Sequence, residues 1–222
     1  MDRLIILPFF TKRILLLCLF LTVSGTMRAQ EELRYIEDAG IQLPLFRASI
    51  AAPYDFPHNG TYLVDTLGFV EGVLVFDGKV YPGLLLNLDS HAQHVLVRHK
   101  STTIAMDLGR DSISEFTRGN KKYVNLEAAG YNVPAGFYEV IEEGRGTLYR
   151  KTERILRHLS SLDISAERYI GYDDPHYKRY LPDYFEYRET WYLVREDGSV
   201  QRLRRKKQIQ KAQQYVRSML TR

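Results

Sequence analysis

Five times between Phe69 and Leu203, two apolar runs flank a short turn signal, and this pattern constrains the fold more than any other feature of the chain. Phe69–Phe76 and Lys79–Leu88 flank Asp77-Gly78; His94–His99 and Thr102–Leu108 flank Lys100-Ser101; Ser112–Thr117 and Lys121–Leu126 flank Arg118-Gly119-Asn120. Gly136–Glu143 and Thr147–Arg154 then flank Gly144-Arg145-Gly146, and Glu186–Arg195 and Ser199–Leu203 flank Asp197-Gly198. Asp-Gly between apolar runs is a strong hairpin signal, because a two-residue turn needs positive φ at both central positions. Ile104, Met106 and Leu108 alternate with Thr103, Ala105 and Asp107, the period of a half-buried strand. Pro82 lacks a backbone donor, which places it at an edge or a bulge. From about Lys206 to Leu220 the period changes. Ile209, Ala212, Val216, Met219 and Leu220 fall on one helical face, with Gln and Lys on the other. The expected fold is mainly β: an antiparallel, hairpin-rich sandwich or partly open barrel of about ten strands with one C-terminal amphipathic helix. Several of the strands are too short for an outer-membrane barrel, which needs repeated segments of about 9–11 residues with a lipid-facing stripe.

The N-terminus speaks to compartment. Arg3, Lys12 and Arg13 precede the apolar run Ile14–Val23, and small and polar residues follow up to Ala29-Gln30. That order reads as a secretory signal peptide spanning 1–29, cut after Ala29. Ile14–Val23 is half the roughly 20 apolar residues that a spanning helix needs, so no transmembrane segment is expected after cleavage. An uncleaved anchor is the competing reading of the same stretch. Cys18 is the only cysteine, and the leucines before it do not suit lipid attachment. A cleaved chain therefore has no disulfide, thiol nucleophile or cysteine metal site. The leader also holds four of the 31 basic residues and one of the 27 acidic ones, so cleavage leaves a net charge of +1. A near-neutral chain has no whole-molecule field for a polyanion, which argues against nucleic acid as a partner.

Residues 30–60 read as an N-terminal extension without a strong period, loop-like from Ala51 to Gly60. Residues 61–222 read as one domain, interrupted at 156–184 by an irregular Tyr-rich insertion. Eight of the sixteen tyrosines fall between Tyr149 and Tyr192. The densest cluster is Tyr172, Asp173, Asp174, His176 and Tyr177, flanking Pro175. Rings beside carboxylates suit a sugar, whose face stacks on the rings while the acids take its hydroxyls. Asp-Asp-Pro is equally a turn. Glycosidase work requires two carboxylates about 5–9 Å apart across the bond, which adjacent side chains seldom provide, so no catalytic residue is assigned. Asp89, His91, His94 and His99 are the other cluster; on a join between strands their spacing lacks the fixed geometry of a metal site, and neither metal nor cofactor is expected. Gly144-Arg145-Gly146 lacks the helix and third glycine of a phosphate loop, and no Gly-x-Ser-x-Gly elbow is present. Arg202, Arg204, Arg205, Lys206 and Lys207 form the strongest charge run. It suits a solvated strand-to-helix join or contact with anionic head groups, although cations at a helix start oppose its dipole.

The order of these motifs resembles a group of exported Bacteroidota proteins of no established activity. The resemblance runs through Gly72-Val73, Phe76-Asp77-Gly78-Lys79-Val80-Tyr81 with Gly83, and Ile113-Ser114-Glu115-Phe116. It continues in Gly136-Phe137-Tyr138-Glu139-Val140, Gly144 with Leu148-Tyr149-Arg150-Lys151, Trp191-Tyr192-Leu193 with Asp197-Gly198, and Lys206-Lys207-Gln208-Ile209. It implies an envelope location, periplasmic, outer-envelope or secreted, and carries no site residues. The expected function is non-enzymatic: binding an envelope protein partner or assisting assembly, with 169–192 as contact surface. A carbohydrate-binding or carbohydrate-cleaving protein using Tyr172–Tyr177 and a glycan partner is the alternative.

Overall fold

The computed structural model describes residues 40–158 and 183–218. Contacts divide the chain between Leu43 and Pro44. In the first unit the described part is a 3-10 turn, Gly40–Gln42, closed by the Leu43 N–H donating to the Gly40 carbonyl at 3.3 Å. The second unit opens with a 3-10 turn, Pro44–Arg47, followed by β1 (Ser49–Ile50), β2 (His58–Asn59), β3 (Val70–Phe76), β4 (Lys79–Asp89), β5 (His94–Arg98) and β6 (Ala105–Leu108). Then come β7 (Ile113–Arg118), β8 (Lys121–Asn125), β9 (Phe137–Gly144), β10 (Gly146–His158), β11 (Asp183–Arg195), β12 (Val200–Leu203) and α1 (Lys206–Arg217).

The strands form one sheet in the order β1-β6-β5-β4-β3-β7-β8-β9-β10-β11-β12, with β2 added beside β11. Among the described strands, only the β2–β11 pairing is parallel. The mainly-β, antiparallel expectation with a C-terminal helix holds, and the strands make one sheet that is not closed. The sheet curls along its length. Four strands separate β4 from β10, yet the Arg154 N–H donates to the Ser90 carbonyl at 3.1 Å beyond the end of β4. Gln93, held at φ 59, ties the same turn down: its Nε2 donates to the Ser90 and Thr152 carbonyls at 2.8 and 3.0 Å, and its Oε1 accepts the Phe137 N–H at 3.0 Å.

Each sequence hairpin is a strand pair. Asp77 and Gly78 take φ 48 and 73, as a two-residue turn demands. At Asp197-Gly198 only the glycine is left-handed, φ 77, because that loop is longer. Pro82 sits in a central strand, where the β3–β4 register shifts between Gly72 and Leu74 opposite it; the bulge removes the need for its missing donor. Strand structure also runs further than the sequence suggests. β10 and β11 pair over thirteen positions, from Gly146↔Arg195 to His158↔Asp183, so Leu156–His158 and Asp183–Tyr184 are ladder rather than irregular insertion.

Residues directly opposite in neighbouring strands share a face. Following the registers, Tyr81, Leu74, Phe116, Tyr123, Glu139, Arg150, Trp191 and Leu203 form one row across eight strands, β4 to β12. Leu86, Leu88, Val95, Val97 and Leu108 extend that face and are almost fully buried. The helix lies at the end of this row: Ala212 and Val216 pack with Leu148, Leu193 and Leu203. The opposite face buries Tyr138, Tyr192 and Leu126 beside Tyr131 and Val133.

The helix starts at Lys206 as the sequence indicates, with two lysines in its first turn. The Gln208 Oε1 accepts the Arg204 and Arg205 N–H groups at 2.8 and 3.0 Å, which ties the start despite the unfavourable charges. Its far end is held by the Arg145 N–H donating to the Val216 carbonyl at 3.1 Å and by an Arg217–Glu142 ion pair. This docking requires Gly144, where a Cβ would stand 2.1 Å from the Val216 oxygen. Gly144→Ala is expected to lift the last turn off the sheet at about 2 kcal/mol, the scale of overpacking. Urea unfolding and hydrogen exchange of the 212–217 amides measure it; unchanged protection there contradicts the assignment.

Candidate functional site

The sequence cluster Tyr172, Asp173, Asp174, His176 and Tyr177 lies outside the described residues, as does the leader. The second sequence cluster is described and does not converge. His91 Nδ1 meets the Arg154 carbonyl at 2.8 Å, His94 pairs with Asp107 at 2.9 Å, and His99 Nδ1 meets Ser101 Oγ at 2.7 Å. Asp89 is occupied by the backbone of its own turn, its Oδ1 accepting the His91 and Ala92 N–H groups at 2.8 and 2.9 Å. No described helix is long and apolar enough to cross a membrane.

The structure assembles a different feature where β10 and β11 reach residues 158 and 183. Six rings meet there: Tyr54, Phe56, His58 and Tyr62 from the segment before β3, His91 from the β4–β5 turn, and Phe185 from β11. Tyr54 lies 4.7 Å from Tyr62, 5.4 Å from Phe185 and 5.6 Å from His91 between ring centroids. Phe185 lies 5.0 Å from His58 and 5.4 Å from His91. Phe56 joins through His58 at 5.4 Å. All of these contacts are edge-on or tilted, the geometry favoured by ring quadrupoles and worth about 0.5–1.5 kcal/mol per pair. Phe185 is buried, Tyr54, Phe56, His58 and Tyr62 are half-buried, and His91 is exposed.

A carboxylate sits beneath the cluster. The Tyr54 hydroxyl donates to Asp89 Oδ2 at 3.3 Å. Burial, and then the Asp89 charge, push the Tyr54 phenol up to about 12, so it remains a donor at any physiological pH. Two polar pairs border the rings: His158 Nδ1 meets Asp183 Oδ1 at 2.6 Å, and Arg157 forms an ion pair with Glu186 at 2.8 Å. No protein-family model, curated protein or solved structure matches the chain.

Sequence reasoning missed these rings because Ala51–Gly60 reads as a loop. The available signal was the spacing of two in Tyr54, Phe56 and His58, which puts three rings on one side of an extended segment. It also missed the charges of the core row. Arg150 donates to Glu139 at 2.7 Å and Glu189 at 3.0 Å, and stands 5.7 Å over the Trp191 ring; Tyr187 donates to Glu189 and stacks with Arg154 at 4.6 Å. Burial, and then Glu139, push the Tyr123 phenol far up. The Tyr123 hydroxyl and Arg150 Nε are buried without partners among the described residues. Both atoms are shut off from solvent, so neither offers a binding group at the surface. Along the Tyr-rich stretch, Phe185 and Tyr192 are buried and Tyr187 is exposed.

Proposed function

We propose that the chain is an exported, non-enzymatic binding protein of the cell envelope, of the Bacteroidota group it resembles. It engages a protein partner through the ring cluster and the adjoining end of β11. The observation that carries this reading is the convergence of Tyr54, Phe56, His58, Tyr62, His91 and Phe185 from three distant segments onto one partly open surface. Ring faces here are occupied by the edges of neighbouring rings, which suits a mixed apolar and polar protein contact better than the flat face a sugar requires. Rings fixed by their neighbours lose little rotamer freedom on binding, which favours affinity. The carboxylates nearby serve as ion-pair and hydrogen-bond partners, a use that supports recognition.

The test is site-specific cross-linking in intact cells. A photoreactive residue at His91 is expected to give one discrete adduct, and the same residue at Ser114, exposed on β7, to give none. Tyr54→Ala is then expected to weaken the purified pair by about 2 kcal/mol, roughly thirtyfold. Equal labelling from both positions, or a thermal shift with envelope glycans and none with the captured protein, overturns the proposal in favour of the carbohydrate reading.

A further inference from the structure

One open cleft of the described surface lies away from the rings, between α1 and the β11–β12 edge. Its volume is about 260 Å³, and it is lined by Leu193 and Arg195 of β11, Gln201 and Leu203 of β12, and Gln208, Lys211, Ala212 and Tyr215 of α1. The helical residues recur at i, i+3, i+4 and i+7, so they form one stripe facing the sheet. The register places Gln201 opposite Leu193, so both strands turn these positions to the same face. The floor is apolar, made by Leu193, Leu203 and Ala212, which belong to the buried cluster beneath the helix. The rim carries two cations and two amides, and no lining residue is acidic.

Neither rim cation has an ion-pair partner within 4 Å among the described residues. Arg195 is fixed by neutral acceptors, Ser199 Oγ at 3.3 Å and Gln201 Oε1 at 2.6 Å. The nearby Asp197 carboxylate is turned to the Ser199 N–H at 2.9 Å. Lys211 is exposed at the opposite lip. Outside the lining, Arg145 stands 5.2 Å over the Tyr215 ring and adds a third positive charge near the cleft. The exposed run Arg204, Arg205, Lys206 and Lys207 begins beside the same cleft and adds to its field.

We propose that this cleft binds a small anionic amphiphile, an aliphatic carboxylate of the fatty-acid kind. Its chain lies on Leu193, Leu203 and Ala212, and its head group sits between Arg195 and Lys211. An apolar floor with a few placed polar groups is the general form of a small-molecule site, and a single negative head complements the cationic rim. The size of the cleft suits one short chain. This site is independent of the ring cluster, so either assignment can fail without the other.

Trp191 is the only tryptophan and packs against the cluster that floors the cleft, so its emission reports occupancy. The full chain is titrated with decanoate below its micelle-forming concentration, alongside decanol, decyltrimethylammonium and acetate. A saturable change is expected with decanoate, weaker by about tenfold or more with decanol and absent with the other two. Lys211→Glu is expected to weaken decanoate at least about tenfold, whereas Lys207→Glu, one turn earlier and off the lining, makes the same change in net charge and alters it by less than about threefold. Lys211 and Lys207 are both exposed, so neither variant threatens folding. Several results overturn the proposal: equal binding of decanol, equal weakening by both variants, no saturable signal, or an N-acetyl-leucine carboxylate binding more tightly than decanoate, which reassigns the cleft to a peptide C-terminus.

Discussion

Gln93→Asn is expected to cost about 3 kcal/mol and to loosen the curl of the sheet, although it removes a single methylene. The amide of Gln93 spans three partners on two distant parts of the chain. Shortened by one carbon, it reaches none of them together. The Phe137 N–H then has no acceptor at a residue 1% exposed, and an unpaired buried donor costs about 1–3 kcal/mol. The Thr152 carbonyl loses a donor, while Ser90 keeps the Arg154 N–H. Asparagine tolerates the left-handed backbone at φ 59, so the substitution adds no conformational strain and isolates the hydrogen bonds. Urea unfolding gives the total. Hydrogen exchange gives its location, with protection falling first at Phe137 and Arg154. A loss below about 1 kcal/mol, or exchange that rises uniformly, contradicts the role assigned to Gln93. Against a total stability of about 5–15 kcal/mol, the expected loss is large.

Gln93 also marks the boundary of what the sequence discloses. A hairpin is a local event: Asp77-Gly78 announces its turn because only certain residues accept that backbone, and the runs on either side must then pair. The bulge at Pro82 was legible for the same reason. The joining of β3 to β7 is different. It places Gly72 against Arg118, where a Cβ on the glycine would stand 1.8 Å from the Thr117 carbonyl. Nothing near Gly72 in sequence names that partner. The ring cluster is invisible on the same grounds, since Tyr54 and Phe185 lie at opposite ends of the domain and each alone reads as an ordinary aromatic. β10 and β11 were read short because their outer parts alternate charge with apolar residues. Arg157 and Tyr184 look like loop until the ladder pairs them across strands. The charged members of the core row had a weak signal: Glu139 and Arg150 stand in the same strand phase as Phe137 and Trp191, where an apolar residue is the rule. The Tyr172–Tyr177 cluster, which composition marked most strongly, lies outside the described residues.

Asp65→Ala is expected to be the most damaging substitution in the loop before β3, at about 3–5 kcal/mol. The Arg118 guanidinium is 1% exposed and donates to both Asp65 oxygens at 2.7 and 2.8 Å, to the Gly68 carbonyl at 2.6 Å and to the Leu86 carbonyl at 3.2 Å. Removing the carboxylate leaves a buried cation with carbonyl partners only, and breaking one side of such a pair costs far more than the pair itself contributes. The double variant Asp65→Ala with Arg118→Met removes both charges and is expected to recover much of the loss, a coupling that independent sites do not show.

Acid supplies a second measure of the same pair. Burial raises the Asp65 carboxyl, but the Arg118 hydrogen bonds and charge, with Lys121 at 3.7 Å, more than reverse this and hold it below the ordinary carboxylate range. A carboxyl lowered in the folded state contributes stability that is complete above the unfolded value, about 3.9, and is lost as pH falls through the folded one. Asp65→Asn keeps the shape and cannot titrate. Its deficit against the parent protein is therefore expected to be constant from pH 7 to about pH 5 and to shrink below about pH 4. A deficit that persists unchanged to pH 2 assigns the effect to shape rather than charge, and the ion pair is then not what fastens this loop to β4 and β7.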